Sequence, residues 1–462
     1  MNRLGRTATL TTVVLALCGA AVAPGSSAEA SNEASTYMVV LKDSVTDPAA
    51  TAAKHVRTYG GARTAVFTHA LKGYAARMTA AQAADLKGDP TVRFVTTERT
   101  FRLPPEPHRN LVGCKEAQDP GQCLPDWADR INAERSSTRS GDGRGSVNVN
   151  VAVLDSGIAG DQPDLNVKGG VDCLSGSPVT PGNSLSDPDG HGTEVGGVVG
   201  AKDNNIDVVG VAPGTPLWAV KVADENEQIT ESAALCGLDW VTSTRTDNDP
   251  ANDIAVANMS YSGPGSDDGR CGTVSQDPEH LAVCNATQAG VTLVASAGNV
   301  HNDLAQRIPA AYQEVLTATA MADFDGRPGG KAVAECYGFD HGFVGNADDQ
   351  ASLEFSDFAR SSTDRQHTVA APGVCMETTE PPGSTITWVD GTSYASPVVS
   401  GVTALCIAKG RCGAGSPARN LRTIVSDAKK YNHANPRYGF FGDPLRPIPG
   451  RYYGYLVAAD RY

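Results

Sequence analysis

Two regimes of apolar spacing divide this chain. Before residue 100, short β-branched runs alternate with Ala-rich stretches of helical period. The spacing predicts strands over 37–42, 64–69, 73–78 and 92–97, and helices over 47–59 and 79–87. Asp47-Pro48 opens the first helix with proline in its first turn, and Thr79 is placed to cap the second. This β-α-β-β-α-β order predicts a small ferredoxin-like α+β unit. Residues 101–145 are rich in Pro, Gly and polar side chains, which predicts an extended, exposed linker open to cleavage. Beyond it the strands read as continuous apolar runs, over 147–154, 216–222, 254–259 and 291–295. Helical segments lie between or after them: one begins at 192, one covers 230–241, one ends at 290 and one covers 393–407. Fully apolar strands alternating with helices predict an α/β fold, a mostly parallel sheet with helices on both faces. Ligands in such folds sit at the carboxyl ends of the strands. Residues 431–462 carry many Tyr, Arg, Pro and Gly, and are expected to pack on this domain as a C-terminal extension.

The first 28 residues follow another pattern. Arg3 and Arg6 precede an apolar run over 10–23, and small residues follow it. That is the layout of a secretory signal peptide, too short for a membrane span. Secretion changes the meaning of the 11 cysteines. Cys18 leaves with the signal, and ten remain for an oxidising compartment. None forms a Cys-x-x-Cys pair, so zinc and redox sites are disfavoured. Sequential pairing is expected, as 114–123, 173–236, 271–284, 336–375 and 406–412, because short loops favour local partners. The net charge of −14 argues against a nucleic-acid binder. It is also uneven: residues 1–108 hold 12 Lys and Arg against 8 Asp and Glu, leaving 26 against 44 for the rest. A basic front and an acidic body are expected to attract each other.

Four short stretches fall at strand ends or helix starts. Val151-Ala-Val-Leu-Asp155 puts an acid after a buried strand, and Asp189-Gly-His191-Gly-Thr a histidine at a helix start. Ala295-Ser-Ala-Gly-Asn299 puts an amide after a strand, and Gly391-Thr-Ser393-Tyr-Ala-Ser-Pro397 a serine at the opening of a long helix. Each alone reads as a cap or a turn. Together, in this order and with these flanks, they resemble the subtilisin-like serine peptidases.

The resemblance continues along the chain. Residues 37–101 look like the inhibitor-type propeptide of that family, in Tyr37-Met-Val-Val-Leu-Lys42, Lys72-Gly-Tyr-Ala-Ala-Arg-Met78 and Thr91-Val-Arg-Phe-Val95. Val209-Gly-Val-Ala-Pro-Gly214, Asn258-Met-Ser-Tyr-Ser262 and Ala371-Pro-Gly373 look like its catalytic domain. The implied organisation is a signal peptide (1–28), a propeptide (31–104), a linker and mature N-terminus (105–124), and a subtilisin-like catalytic domain with its extension (125–462). The implied chemistry is peptide-bond hydrolysis. Ser393 is expected as nucleophile, His191 as base then acid, Asp155 as the group orienting the imidazole, and Asn299 as a donor to the oxyanion. Ser260, Tyr261 and Ser262 are expected to receive an extended substrate by strand addition, with 225–228 as the opposite strand.

The expected partners are protein or peptide substrates and the chain's own propeptide, which assists folding and blocks the cleft until a cut between Arg99 and Asn110. No nucleic acid, membrane or stable oligomer is implied. Catalysis needs no cofactor or metal. A structural Ca²⁺, common in the family, stays open: acids crowd the loops (Asp161, Asp164, Asp187, Asp189, Asp203, Asp207), but no contiguous calcium loop stands here. The presence of all four catalytic positions weighs against a silent binding protein, and an esterase with the same triad is the remaining alternative. Departures from the family pattern are Glu194 for a second histidine, Asp390 for Ser, Val398 for His, Ser262 for Gly, and Tyr394 for the Met after the nucleophile. Without that Met, peroxide tolerance is expected.

Overall fold

The computed structural model describes residues 33–103, 109–111, 117–119, 122–334, 336, 347–382 and 387–462. The signal peptide expected over 1–28 and residues 104–108 of the expected cleavage stretch lie outside them.

The N-terminal unit has the predicted element order. An antiparallel sheet runs Ala62–Phe67, Gly73–Met78, Ser35–Leu41, Val92–Thr97 across its width. Helices Pro48–Tyr59 and Ala80–Leu86 pack with it. Asp47 caps the first by accepting from the Ala50 N–H, and Thr79 with Gln82 forms a capping box on the second. Both caps are where the sequence puts them.

The large unit is built on an eight-stranded sheet. From one edge the parallel strands are Val167–Asp172, Leu217–Lys221, Val151–Asp155, Val256–Met259, Thr292–Ser296 and Leu316–Ala322. The last pairs with Thr368–Val374 in parallel and with the short Gln350–Ala351 antiparallel. Strand Val151–Asp155 lies inside the sheet and is buried along its whole length, so Asp155 emerges at its carboxyl end in a dry setting. Helices His191–Gly200 and Thr392–Ala408 are also nearly all buried and pack on each other. Their all-round apolar composition suits that double burial.

The expectation of one exposed linker over 101–145 fails in two places. Phe101 and Leu103 are buried, in and just after a strand, Thr100–Arg102, that joins the large unit. Asp126–Arg130 is a helix with Trp127, Ala128 and Arg130 buried. Trp127 and Ile131 are one helical turn apart, so a single apolar face was embedded in a Pro- and Asp-rich stretch. Near the C-terminus, Phe440, Tyr453, Leu456 and Val457 belong to the main core, and Tyr462 O accepts from the Ser137 N–H.

Disulfides join 173–236, 271–284, 336–375 and 406–412, the sequential order expected. Cys123 is also disulfide-bonded, while Cys114 lies outside the described residues. Among the described residues no helix is long and apolar enough to cross a membrane.

Candidate active site

Three sheet strands and two helix starts converge on one place. Asp155 ends its strand fully buried, and its Oδ1 lies 2.7 Å from His191 Nδ1. The Ser156 N–H donates to the same oxygen at 2.7 Å. His191 begins its helix after Gly190 in a left-handed turn. Gly192 keeps the pair close, since a Cβ there would run into the Gly157 carbonyl and sit 3.2 Å from Asp155 Cβ. Asp187 fixes the turn. It accepts from the Gly190 and Thr193 N–H groups and from the Ser156 and Thr193 hydroxyls. Sequence reading groups Asp187 with candidate calcium acids; the structure makes it the support of the histidine turn.

Ser393 opens the second buried helix. Asn299 follows strand Thr292–Ser296, and its Oδ1 accepts from the Thr392 N–H at 3.0 Å and the Thr392 hydroxyl at 2.6 Å. That fixes the amide, and Asn299 Nδ2 makes no hydrogen bond among the described residues. Gly391, at φ +153°, leaves open the space in front of it. A Cβ there would lie 3.1 Å from Asn299 Nδ2 and 3.4 Å from Ser393 Oγ. An unpartnered amide nitrogen and a hydroxyl therefore border one small volume at a helix N-terminus, which carries positive potential. The loop bearing Asn299 is tied down by Asp357, whose Oδ1 accepts from the Asn302 and Val300 N–H groups. Burial pushes the Asp357 carboxyl up to about 6.

Behind the serine runs a buried polar chain. Ser260 Oγ donates to the Ser393 carbonyl at 2.7 Å and lies 2.9 Å from Ser396 Oγ; Asn258 Nδ2 donates to Ser260 Oγ, and the Ser400 hydroxyl donates to Asn258 Oδ1. The Ser260 and Tyr261 side chains thus face inward. Of the three residues expected to receive substrate, it is Ser262 whose backbone meets an extended segment, and that segment belongs to this chain. Ser262 exchanges two backbone hydrogen bonds with Arg102, each 3.2 Å. On its other side, Thr100–Arg102 pairs antiparallel with Gln228–Thr230, and the Leu103 N–H donates to Glu227 O. Phe101 packs its ring 6.0 Å from that of Tyr261. Next to this strand lies a cavity of about 330 Å³, bounded by Ser262, Pro264, Asn299, Val300 and Arg307.

Two acidic groups bring ligand atoms close enough for an ion: Asp267, Asp268 and His280, and Asp323, Asp325 and Asp348. Their carboxylates already have donors. Asp268 accepts from the N–H groups of Arg270, Gly272, Val274 and Ser275, Asp323 pairs with Arg130 at 2.8 Å, and Asp348 accepts from three backbone N–H groups. N–H groups aimed at those oxygens fit a self-contained anchor better than a Ca²⁺ cage.

Comparison with known proteins identifies the family and the fold. The model of the subtilase family matches residues 146–440, and that of peptidase inhibitor I9 matches residues 26–104. Subtilisin DY of Bacillus licheniformis is 32% identical over 296 residues, covering 63% of this chain and 86% of the relative. Subtilisin E of Bacillus subtilis (strain 168) is 28% identical over 389 residues, 83% of this chain and 84% of the relative. Among solved structures, fervidolysin from Fervidobacterium pennivorans, a keratinolytic enzyme related to subtilisin, has a TM-score of 0.62 at 21% identity. That match covers 92% of this chain and 60% of fervidolysin's, a likeness of fold.

Proposed function

This chain belongs to the subtilase family of serine peptidases and carries an I9-type inhibitor propeptide; from that premise we propose that it is a secreted endopeptidase, made as a preproprotein and processed by its own active site. Ser393 Oγ attacks the scissile carbonyl carbon while His191 Nε2 takes the hydroxyl proton. Asp155 holds the imidazole with its Nδ1–H toward the carboxylate and stabilises the imidazolium that forms. The carbonyl oxygen becomes an oxyanion, received by Asn299 Nδ2 and the Ser393 N–H. As the C–N bond breaks, the imidazolium returns its proton to the leaving amine. A water, deprotonated by the same imidazole, then releases the acyl group from Ser393.

The observation that carries this reading is the volume in front of Gly391, bordered by Ser393 Oγ and the unpartnered Asn299 Nδ2, with the Asp155–His191 pair on the adjoining helix start. Processing is assigned to the stretch between Arg99 and Asn110, beyond Leu103, because Thr100–Leu103 occupies the path between Ser262 and Gln228–Thr230. Export is assigned on the Arg3 and Arg6 flank with its apolar run. The test is Ser393→Ala. The variant is expected to accumulate with its propeptide attached and to leave casein intact, whereas the parent chain sheds the propeptide and degrades casein. A variant that still loses its propeptide unaided and still hydrolyses casein overturns the mechanism.

A further inference from the structure

Just before the cleft strand, Arg99 enters a buried acidic chamber. Its guanidinium meets Glu231 Oε1 at 3.0 Å through Nε and Asp277 Oδ2 at 3.0 Å through Nη1. Its backbone N–H donates to Glu231 Oε2, and the Glu231 N–H donates back to Arg99 O. Glu231 and Glu279 are fully buried. Glu279 Oε2 makes no hydrogen bond among the described residues and lies 3.9 Å from the guanidinium. The Tyr312 hydroxyl donates to Asp277 and the Tyr261 hydroxyl to Glu279. The chamber thus holds three carboxylates and one cation, and the cation comes from the segment that leaves on processing. Asp277 and Glu231 each sit at the start of a helix, Pro278–Ala289 and Glu231–Ser243, so the chamber's walls persist without Arg99. Burial raises the Glu231 carboxyl and pushes that of Glu279 up to about 8, the response of acids whose partnering cation only partly offsets desolvation.

The geometry points to this chamber as a substrate subsite of the mature enzyme that selects arginine three residues before the residue paired with Ser262, and two before the aromatic packed against Tyr261. The inference rests on the reading above, in which Thr100–Leu103 lies where substrate lies. Arginine suits the site better than lysine, because two carboxylates approach different edges of one planar fork.

The probe is a set of internally quenched peptides, Xaa-Thr-Phe-Arg-Leu followed by an equimolar residue mixture, with Xaa as Arg, Lys or Gln. Each rate is referred to that of a shorter peptide beginning at Thr, measured with the same enzyme. With the processed enzyme, kcat/KM is expected to favour Arg over Gln by about 10- to 100-fold, the range of a charge-assisted pair, with Lys between. In Asp277→Asn, which keeps a side chain able to cap its helix, the same ratio is expected to fall several-fold. Because it is a ratio within each enzyme, partial misfolding cancels. Equal turnover of the Arg and Gln peptides, or a ratio unchanged in the variant, overturns the subsite while leaving the peptidase intact. Turnover of neither the long nor the short peptides overturns the peptidase reading, and the subsite with it.

Discussion

Tyr394 and Glu194, two of the expected departures from the family pattern, form one feature in the structure. The Tyr394 hydroxyl donates to Glu194 Oε2 at 2.6 Å, with both side chains fully buried. Glu194 lies one turn into the helix that begins with His191, and Tyr394 follows Ser393. The bond therefore ties together the two helix starts that carry His191 and Ser393, and the Tyr394 ring lies 5.6 Å from the imidazole. Tyr394→Phe leaves a buried carboxylate short of a donor, at a cost of about 1–3 kcal/mol. Urea unfolding of the variant in a Ser393→Ala background, where self-digestion is absent, checks this. Glu194→Gln should lose less, and the double variant should lose less than the two single losses combined. Additive losses would sink the pairing.

At the scale of elements, Arg130 shows how a short helix anchors two distant segments. Its side chain is fully buried between Asp323, at 2.8 Å, and Asp349, and it donates to the Tyr438 carbonyl at 2.7 Å. It joins helix Asp126–Arg130 to the C-terminal extension. Arg130→Met removes the cation and leaves two buried acids, so a loss of about 3–5 kcal/mol is expected. A melting temperature unchanged from that of the parent chain would show that the anchor is idle. This helix was also the least legible element. Pro125, Asp126 and Asp129 read as linker composition, and one turn of apolar spacing is too short to outweigh that signal. Strands Leu316–Ala322 and Thr368–Val374 were hidden differently. Their Ala and Thr carry little hydrophobic contrast, although both are buried throughout. The residues that meet at the candidate site (Asp155, His191, Asn299 and Ser393) were legible because each rests in a local motif. The Arg99 chamber was not, since Glu231 and Asp277 are far apart in sequence and meet through tertiary packing alone.

The whole molecule is organised by charge, a basic front on an acidic body, and one contact between them includes a histidine whose pKa is raised by its partner. Asp239, on helix Glu231–Ser243, accepts from the backbone N–H groups of Thr68, His69 and Ala70, and its Oδ2 lies 3.4 Å from His69 Nδ1. The hydrogen bond to Asp239 raises the His69 pKa above 6.5, with Asp247 adding in the same direction and burial opposing. A histidine raised by its partner holds its proton more tightly in the docked state. Its contribution is full below 6.5 and is lost as pH rises through the raised value. The backbone bonds to Asp239 persist at all these pH values, so the propeptide should loosen rather than fall away. Its release after cleavage should quicken by about two- to fivefold between pH 6 and pH 8, the range an exposed ion pair carries. His69→Gln, which keeps the backbone contacts and removes the charge, should show the faster release at both pH values. Following the rise of casein hydrolysis after processing, in low salt, reads this directly. A release rate that climbs equally with pH in parent and variant would place the pH dependence elsewhere.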